Sequence, residues 1–287
     1  MSESATGEPR VDRLPDPSSA GDWSKLYLSS AWDAVRGPKL PDIERFCFFI
    51  GYARSGHSLT GALLNAHSEV VISHELDAVG FVEKRFRRSQ LFSLILRRDE
   101  EFGSMDRIWA GYDYRVPDLF QGRFNRLKVI GDKKGGRSAL ELSRRPELLD
   151  RLRRTVRVPI RVIHVTRNPF DNIATLAARR NGSLAGATRR YEQSCRAVAE
   201  VRPLLAPDEL FELSHESFTE DPKTWLANLC VFLGVEPDES YLSGCAAVVW
   251  PSAKRRRDTI EWTPEDRRGV EELIDRYSFL KPYSFDN

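Results

Sequence analysis

The chain is 287 residues long, 41% apolar and 30% charged, with 44 Lys and Arg against 42 Asp and Glu. A net charge of +2, with both signs interleaved, excludes a typical nucleic-acid binder and describes a solvated surface. The longest apolar run is far short of a membrane span, and the composition is rich enough in apolar residues for a packed core.

The first 21 residues are rich in Ser, Pro, Asp and Gly and predict a disordered tail, leaving 22–287 as one α/β domain. No apolar secretory core is visible there. Cys47, Cys195, Cys230 and Cys245 show no CxxC pair and no zinc spacing, which fits buried thiols in a reducing, cytoplasmic setting. Trp23 to Leu40 carries a short helix. Strands are predicted at Phe46–Gly51, Val70–Ser73, Lys128–Gly131, Arg161–Thr166 and Leu210–Leu213; they are short, apolar and mostly not alternating, as strands buried on both faces are. Helices are predicted between them, near Phe81–Arg98, Ser138–Arg154, Pro169–Arg180 and Ala187–Leu205. Asp221-Pro222 opens a helix that Gly234 ends, and Thr263-Pro264-Glu265-Asp266 resembles a capping box for a last helix running to about Tyr277. Strand alternating with helix implies a three-layer α/β fold, a central parallel sheet of about five strands flanked by helices.

Phe46 to Asn65 reads FCFFIGYARSGHSLTGALLN: an apolar run, a glycine-bounded loop, then a helix from about Ser58 to Ala66. Gly51, Gly56 and Ser58 fit the G-x-x-x-x-G-K-[ST] phosphate loop, with His57 where its lysine stands. Glycines let successive N–H groups surround one anion, and the helix N-terminus adds further N–H groups and a partial positive charge. The loop keeps its glycines and hydroxyl, loses the lysine and gains a cation at Arg54. That combination points to a P-loop-type site not built for ATP in the ordinary way. Leu59, Ala62, Leu63 and Ala66 recur at helical spacing and would pack the helix on the sheet. A strand-turn-helix without a ligand is the plain alternative.

A second anion site is predicted in Arg161–Thr175, RVIHVTRNPFDNIAT. A strand delivers Arg167 to its carboxyl end, and Pro169 starts a helix. Ligands of open parallel sheets sit beyond the carboxyl ends of the strands, where a guanidinium fork suits a phosphate. A surface arginine paired with Asp171 is the other reading. One nucleotide with phosphates at two places accounts for both sites, and 3′-phosphoadenosine 5′-phosphosulfate (PAPS) is such a compound.

Here the chain resembles the sulfotransferase family. An R-S-G-x-[ST]-L loop matches Arg54, Ser55, Gly56, Ser58 and Leu59. Leu63 to Glu75, LLNAHSEVVISHE, resembles the segment after the loop in bacterial and tyrosylprotein members. An R-[ND]-P…[ST] element matches Arg167, Asn168, Pro169 and Thr175. Phe211 to Val235 resembles the late Y-E-D-L…D-P…F-L-G segment, so the likeness covers roughly Phe46 to Tyr277. The resemblance implies PAPS as co-substrate and no metal. It places Ser55, Gly56, His57 and Ser58 at the 5′-phosphosulfate, with Arg54 as the loop cation, and Arg167 and Thr175 at the 3′-phosphate. It also implies Glu75 as the catalytic carboxylate and Lys133, in VIGDKK, as the contact to the sulfuryl oxygens. Three departures stand out: His57 replaces a Ser or Thr; Lys134-Gly135-Gly136 follows Lys133, so the two lysines could exchange roles; and the C-terminal nucleotide segment of animal cytosolic members is absent. Ser252 and Lys254, Arg255, Arg256 and Arg257 could replace that segment.

Sulfuryl transfer needs in-line positioning, cations on the equatorial and leaving oxygens, and a base near the acceptor hydroxyl. Arg54 and Lys133 supply charge. His74 and Glu75 are adjacent, and neighbours along a strand point to opposite faces, so one of them is expected in the site. His164 reads as a core histidine and His67 as a structural cap, while His215 is unassigned. Gly80 to Phe124, mixing aromatics with arginines, is the expected acceptor side and a candidate lid. The acceptor expected is a small molecule or natural product, with protein or carbohydrate as the other options. A P-loop kinase using ATP–Mg²⁺, with Asp132 as a metal-binding carboxylate, is the competing enzyme reading. A nucleotide-binding protein without turnover is the third.

Overall fold

The computed structural model describes residues 20–37, 39–40, 42–179 and 182–287. The predicted tail therefore lies outside the described residues up to residue 19, and residues 20 and 21 already belong to a helix. Seven strands are present among the described residues: β1 (Arg45–Ile50), β2 (Val70–His74), β3 (Ile108–Trp109), β4 (Tyr112–Asp113), β5 (Val129–Lys133), β6 (Ile160–Thr166) and β7 (Leu210–Ser214). Five of them form one sheet in the order β2-β5-β1-β6-β7, with every neighbouring pair parallel. β3 and β4 form a separate two-stranded antiparallel hairpin.

The helices, in chain order, are α1 (Ala20–Arg36), α2 (His57–Leu64), α3 (Ala78–Glu83), α4 (Arg88–Ser104), α5 (Gly135–Arg144), α6 (Glu147–Val156), α7 (Pro169–Arg179), α8 (Leu184–Val201), α9 (His215–Glu220), α10 (Pro222–Leu233), α11 (Glu239–Val248) and α12 (Pro264–Arg276). They cover both faces of the sheet. Along β1, Phe46, Phe48 and Ile50 enter one core while Cys47 and Phe49 enter the other. Both faces are buried, which is why the strands show no polar alternation. All four cysteines are free and buried.

Two predicted helices are broken in the structure. The expected Phe81–Arg98 helix divides into α3 and α4 because Phe86 folds inward against Trp23, Tyr27 and Phe81. Arg85 takes a left-handed φ of 65° at the break, and Gln90 Oε1 caps the new helix by accepting from the Arg87 N–H at 2.9 Å. The expected Ser138–Arg154 helix divides at Pro146, which forces Arg145 out of the helical region (φ −141°). The helix from Pro169 ends at Arg179, and its expected last residue, 180, lies outside the described residues. The late helix signals hold: Asp221 accepts from Thr224 N at 3.2 Å, and Thr263 and Asp266 form the capping box. Helix α11 carries no strong apolar stripe and is not predicted.

Topology places the site. β1 lies between β5 and β6, so the loop after β1 has the ends of β5 and β6 as neighbours, and the end of β2 is one strand further out. Glycine-loop, Arg167, Lys133 and His74–Glu75 all leave the sheet at carboxyl ends.

Candidate active site

The loop after β1 turns through left-handed residues at Gly51 (φ 143°), Arg54 (φ 72°) and Gly56 (φ 107°). Two of these are glycine, where the conformation costs little. The His57 ring does not face outward. It lies buried under the loop, edge-on to Phe49, with Nε2 donating to the Ile50 carbonyl at 3.0 Å. Burial pushes this imidazole down to about 3, aided by the charges of His164 and Lys133, so the ring is neutral and its Nδ1 is an acceptor. Ser55 is fully buried, and its hydroxyl has two inward partners, the Tyr52 carbonyl at 3.0 Å and His57 Nδ1 at 3.2 Å. Its single hydrogen is used inside the loop in either case. The Ser55 and His57 side chains are thus committed inward, which leaves their backbone N–H groups as the part of each that could meet an anion. Leu59, within α2, is partly buried and packs against the core.

Arg167 leaves β6 and is buried, with Nη1 donating to the Arg54 carbonyl at 3.1 Å and Nη2 to the Lys254 carbonyl at 2.7 Å. It does not pair with Asp171. That carboxylate instead accepts from the Arg257 N–H at 2.9 Å and lies 3.7 Å from the Arg257 guanidinium. The Nε atoms of both Arg54 and Arg167 are buried without a partner. Buried unpaired guanidinium donors are costly, and an anion beside the two would satisfy them. Burial pulls the Arg167 guanidinium down, opposed by Asp171 and Glu216. The Thr175 hydroxyl donates to the Asp171 carbonyl at 2.7 Å, so as placed it has no hydrogen for a phosphate.

Lys133 ends β5 with its side chain buried beside the loop. Its Nζ donates to Ser58 Oγ at 2.9 Å and to Glu75 Oε1 at 2.5 Å, and lies 3.5 Å from His74 Nε2. An ammonium from the neighbouring strand thus stands at the loop hydroxyl, supplying the cation that the loop sequence lacks at His57. Burial pulls this ammonium down, and the Glu75 charge opposes it. Lys134 is the outer lysine, donating to the Glu75 carbonyl at 3.2 Å and lying 3.8 Å from Glu75 Oε2.

The expectation that only one of His74 and Glu75 enters the site is wrong. Glu75 lies just past the strand in a left-handed conformation (φ 62°), so the strand alternation no longer applies and both reach Lys133. Their chemistry differs. His74 is stacked on Phe102 at 4.1 Å, and burial with the Lys133 and Arg98 charges pushes it down to about 2. The ring is therefore neutral near neutral pH and a weak base. Glu75 remains half-buried beside the two lysines.

A sequence profile described as "Sulfotransferase family" matches residues 47–239. The chain belongs to the sulfotransferase family. Solved structures share its fold. The sulfotransferase domain of the Synechococcus PCC 7002 olefin synthase is 18% identical, with 84% of this chain and 98% of that one covered at a TM-score of 0.53. The sulfotransferase STF9 of Mycobacterium avium is 10% identical, with 88% and 81% covered at a TM-score of 0.50. No curated protein sequence matches the chain significantly.

In this sulfotransferase the β3–β4 hairpin overhangs the loop. Trp109 stands edge-on to His74 at 5.1 Å, and Tyr112 lies under the guanidinium groups of Arg54 at 5.3 Å and Arg179 at 5.6 Å. The root of the hairpin is fastened by the buried bidentate pair Arg107–Asp99, at 2.9 and 3.0 Å, to which Asn65 also donates at the end of α2. Arg179 on α7 donates to the Ala110 carbonyl at the tip.

The late basic segment reaches Arg167, but through backbone. Lys254 offers its carbonyl there while its ammonium sits over Trp250 at 4.8 Å. Arg255 pairs with Asp258, and Arg256 is exposed. Of this run only Arg257 is buried, and the sequence gives no sign of which of four adjacent cations turns inward. Asp132 is not free for a metal: its two oxygens accept from Ser73 and from the N–H groups of Leu76, Asp77 and Ala78, all at 2.9 Å. It holds the turn that carries Glu75. Among the described residues, no group of three or more His, Cys, Asp or Glu side chains is placed to hold a metal ion. His164 is a core histidine, and His67 bridges Glu69 N and the Glu236 carbonyl. His215, unassigned from sequence, is half-buried against Gly56, where a Cβ would meet its Nδ1 at 2.6 Å. Its place at the end of β7, next to β6, is the signal that locates it near Arg167.

Proposed function

We propose that this sulfotransferase moves a sulfuryl group from PAPS to the hydroxyl or amine of a small-molecule acceptor. The observation that carries the reading is the joining of the two anion sites: Arg167 hydrogen-bonds the Arg54 carbonyl, and both residues leave a buried Nε unpaired beside a glycine loop. The loop N–H groups and Ser58 would hold the 5′ end, and Arg167 the 3′-phosphate. When bound, the nucleotide supplies an activated sulfuryl group. The chain supplies the rest. Lys133 would transfer its hydrogen bond from Glu75 to a sulfuryl oxygen, freeing the Glu75 carboxylate to take the acceptor proton. Arg54 would neutralise charge on the leaving side. Glu75 rather than His74 is the base, because His74 is held neutral and far from protonation.

The kinase reading needs a metal-binding carboxylate, and Asp132 is fully engaged with hydroxyl and backbone donors. Titration of the purified protein with adenosine 3′,5′-bisphosphate and with ATP–Mg²⁺ separates the two. The bisphosphate is expected to bind more tightly, and tighter binding of ATP–Mg²⁺ would overturn the assignment. The acceptor side is assigned to the hairpin and the helices from Gly80 to Phe124. No helix among the described residues is long and apolar enough to cross a membrane.

A further inference from the structure

We propose that His57 is a positioning residue: its ring pins the phosphate loop to the start of α5, so that the 5′ end of the nucleotide is held by backbone N–H groups and Ser58 rather than by the side chains of Ser55 and His57. This rests on the nucleotide reading above. The ring fills a slot that two separate glycines leave open. A Cβ at Gly51, in the loop itself, would stand 2.5 Å from His57 Cε1, and a Cβ at Gly135, the first residue of α5, would stand 2.8 Å from the same atom. No side chain fits at either place while the ring is present. The ring thus wedges the loop after β1 against the helix that follows Lys133.

Its hydrogen bonds hold it there. Nε2 must be the protonated nitrogen, because the Ile50 carbonyl 3.0 Å away can only accept. Ile50 is the last residue of β1, so the bond closes the loop back onto the strand it leaves. The Ser55 hydroxyl lies 3.2 Å from Nδ1 and 3.0 Å from the Tyr52 carbonyl and is drawn inward with the ring. The lysine of an NTP-binding loop projects toward its ligand; this histidine projects the opposite way, and the cation comes from Lys133. The loop is therefore held in shape from within before any anion arrives, which lowers the ordering cost of binding.

The test uses two nucleotides differing only at the 5′ end, adenosine 3′,5′-bisphosphate and adenosine 3′-phosphate, titrated against the full chain and two variants. His57→Leu fills the slot but cannot donate, and His57→Gln keeps a donor that can reach Ile50. The Leu variant should lose roughly 10- to 100-fold in bisphosphate affinity, as outer-shell residues that orient a site commonly do. Its adenosine 3′-phosphate affinity should not move. The Gln variant should retain most of the preference for the bisphosphate, and it carries the test alone if the Leu variant does not fold. Equal losses for both nucleotides in either variant would mark a general folding role and overturn the proposal, as would an unchanged Leu variant or a Gln variant without the preference. If the unsubstituted protein itself shows no preference for the bisphosphate, the nucleotide assignment fails, and this inference fails with it.

Discussion

The two halves of the site are built from different bonds. At the ends of β1 and β6 the side chains hold backbone: His57 grips the Ile50 carbonyl, and Arg167 grips the carbonyls of Arg54 and Lys254. At the ends of β2 and β5 the side chains hold each other: Lys133 meets Ser58, Glu75 and His74 within 3.5 Å. The first arrangement gives a cleft of constant shape. The second is a cluster of side chains that pair with one another, with the half-buried Glu75 beside two lysines. On the proposed function the first half would hold the donor and the second would carry the transfer, as in-line group transfer demands.

The sharpest way to break this division is Glu75→Gln. Turnover, measured by transfer of a labelled sulfuryl group to acceptor, should fall by about 10²–10⁴-fold while bisphosphate affinity stays unchanged. Unaltered turnover removes Glu75 as the base. Next comes Arg167→Ala, which should weaken adenosine 3′,5′-bisphosphate by about 2–5 kcal/mol in calorimetry and leave adenosine 5′-phosphosulfate almost untouched. Equal losses would show that the two ends of the cleft do not act on separate phosphates.

The third effect is on stability against pH, where Asp77 partly offsets the two histidines. His57 and His74 are lowered to about 3 and about 2, whereas the unfolded rings titrate near 6.5. Below pH 6.5 the unfolded chain binds protons that the native rings refuse, so the stabilisation present above 6.5 is lost as pH falls. Each ring contributes a slope of up to about 1.4 kcal/mol per pH unit. Asp77, raised to about 6 by burial, works in the opposite sense between its ordinary value and 6. Urea unfolding at pH 7, 6 and 5 should show falling stability, less steep in His57→Gln; a flat profile would mean the rings are not held neutral.

The five sheet strands were legible to within two residues at each end: β1, β2, β5 and β6 are short runs buried on both faces, and the edge strand β7, with Glu212 exposed, is still a short run between a turn and a helix. Helix starts were legible where a side chain caps the backbone, as at Asp221 and Thr263. The break at Phe86 was not, since it depends on Trp23 and Tyr27, about 60 residues away in sequence. Arg54, Glu75, Lys133 and Arg167 could be placed on one side of the sheet from sequence because parallel strands carry their carboxyl ends to one side. The directions of Ser55 and His57 were hidden: a motif specifies which residues share a loop but not which face inward. The joint approach of His74 and Glu75 to Lys133 hung on a single left-handed residue, and the hairpin from Ile108 to Asp113 is too short to announce itself.

That hairpin is fastened very unequally. Its root rests on Arg107 and Asp99, a desolvated pair whose separation would strand a buried charge, while its tip hangs on one exposed arginine. Tyr112, beside that tip, lies under the guanidinium groups of both Arg54 and Arg179, so the tip is tied to the loop after β1 as well as to α7. On the proposed function, a change at Tyr112 would therefore reach the donor loop as well as the acceptor side.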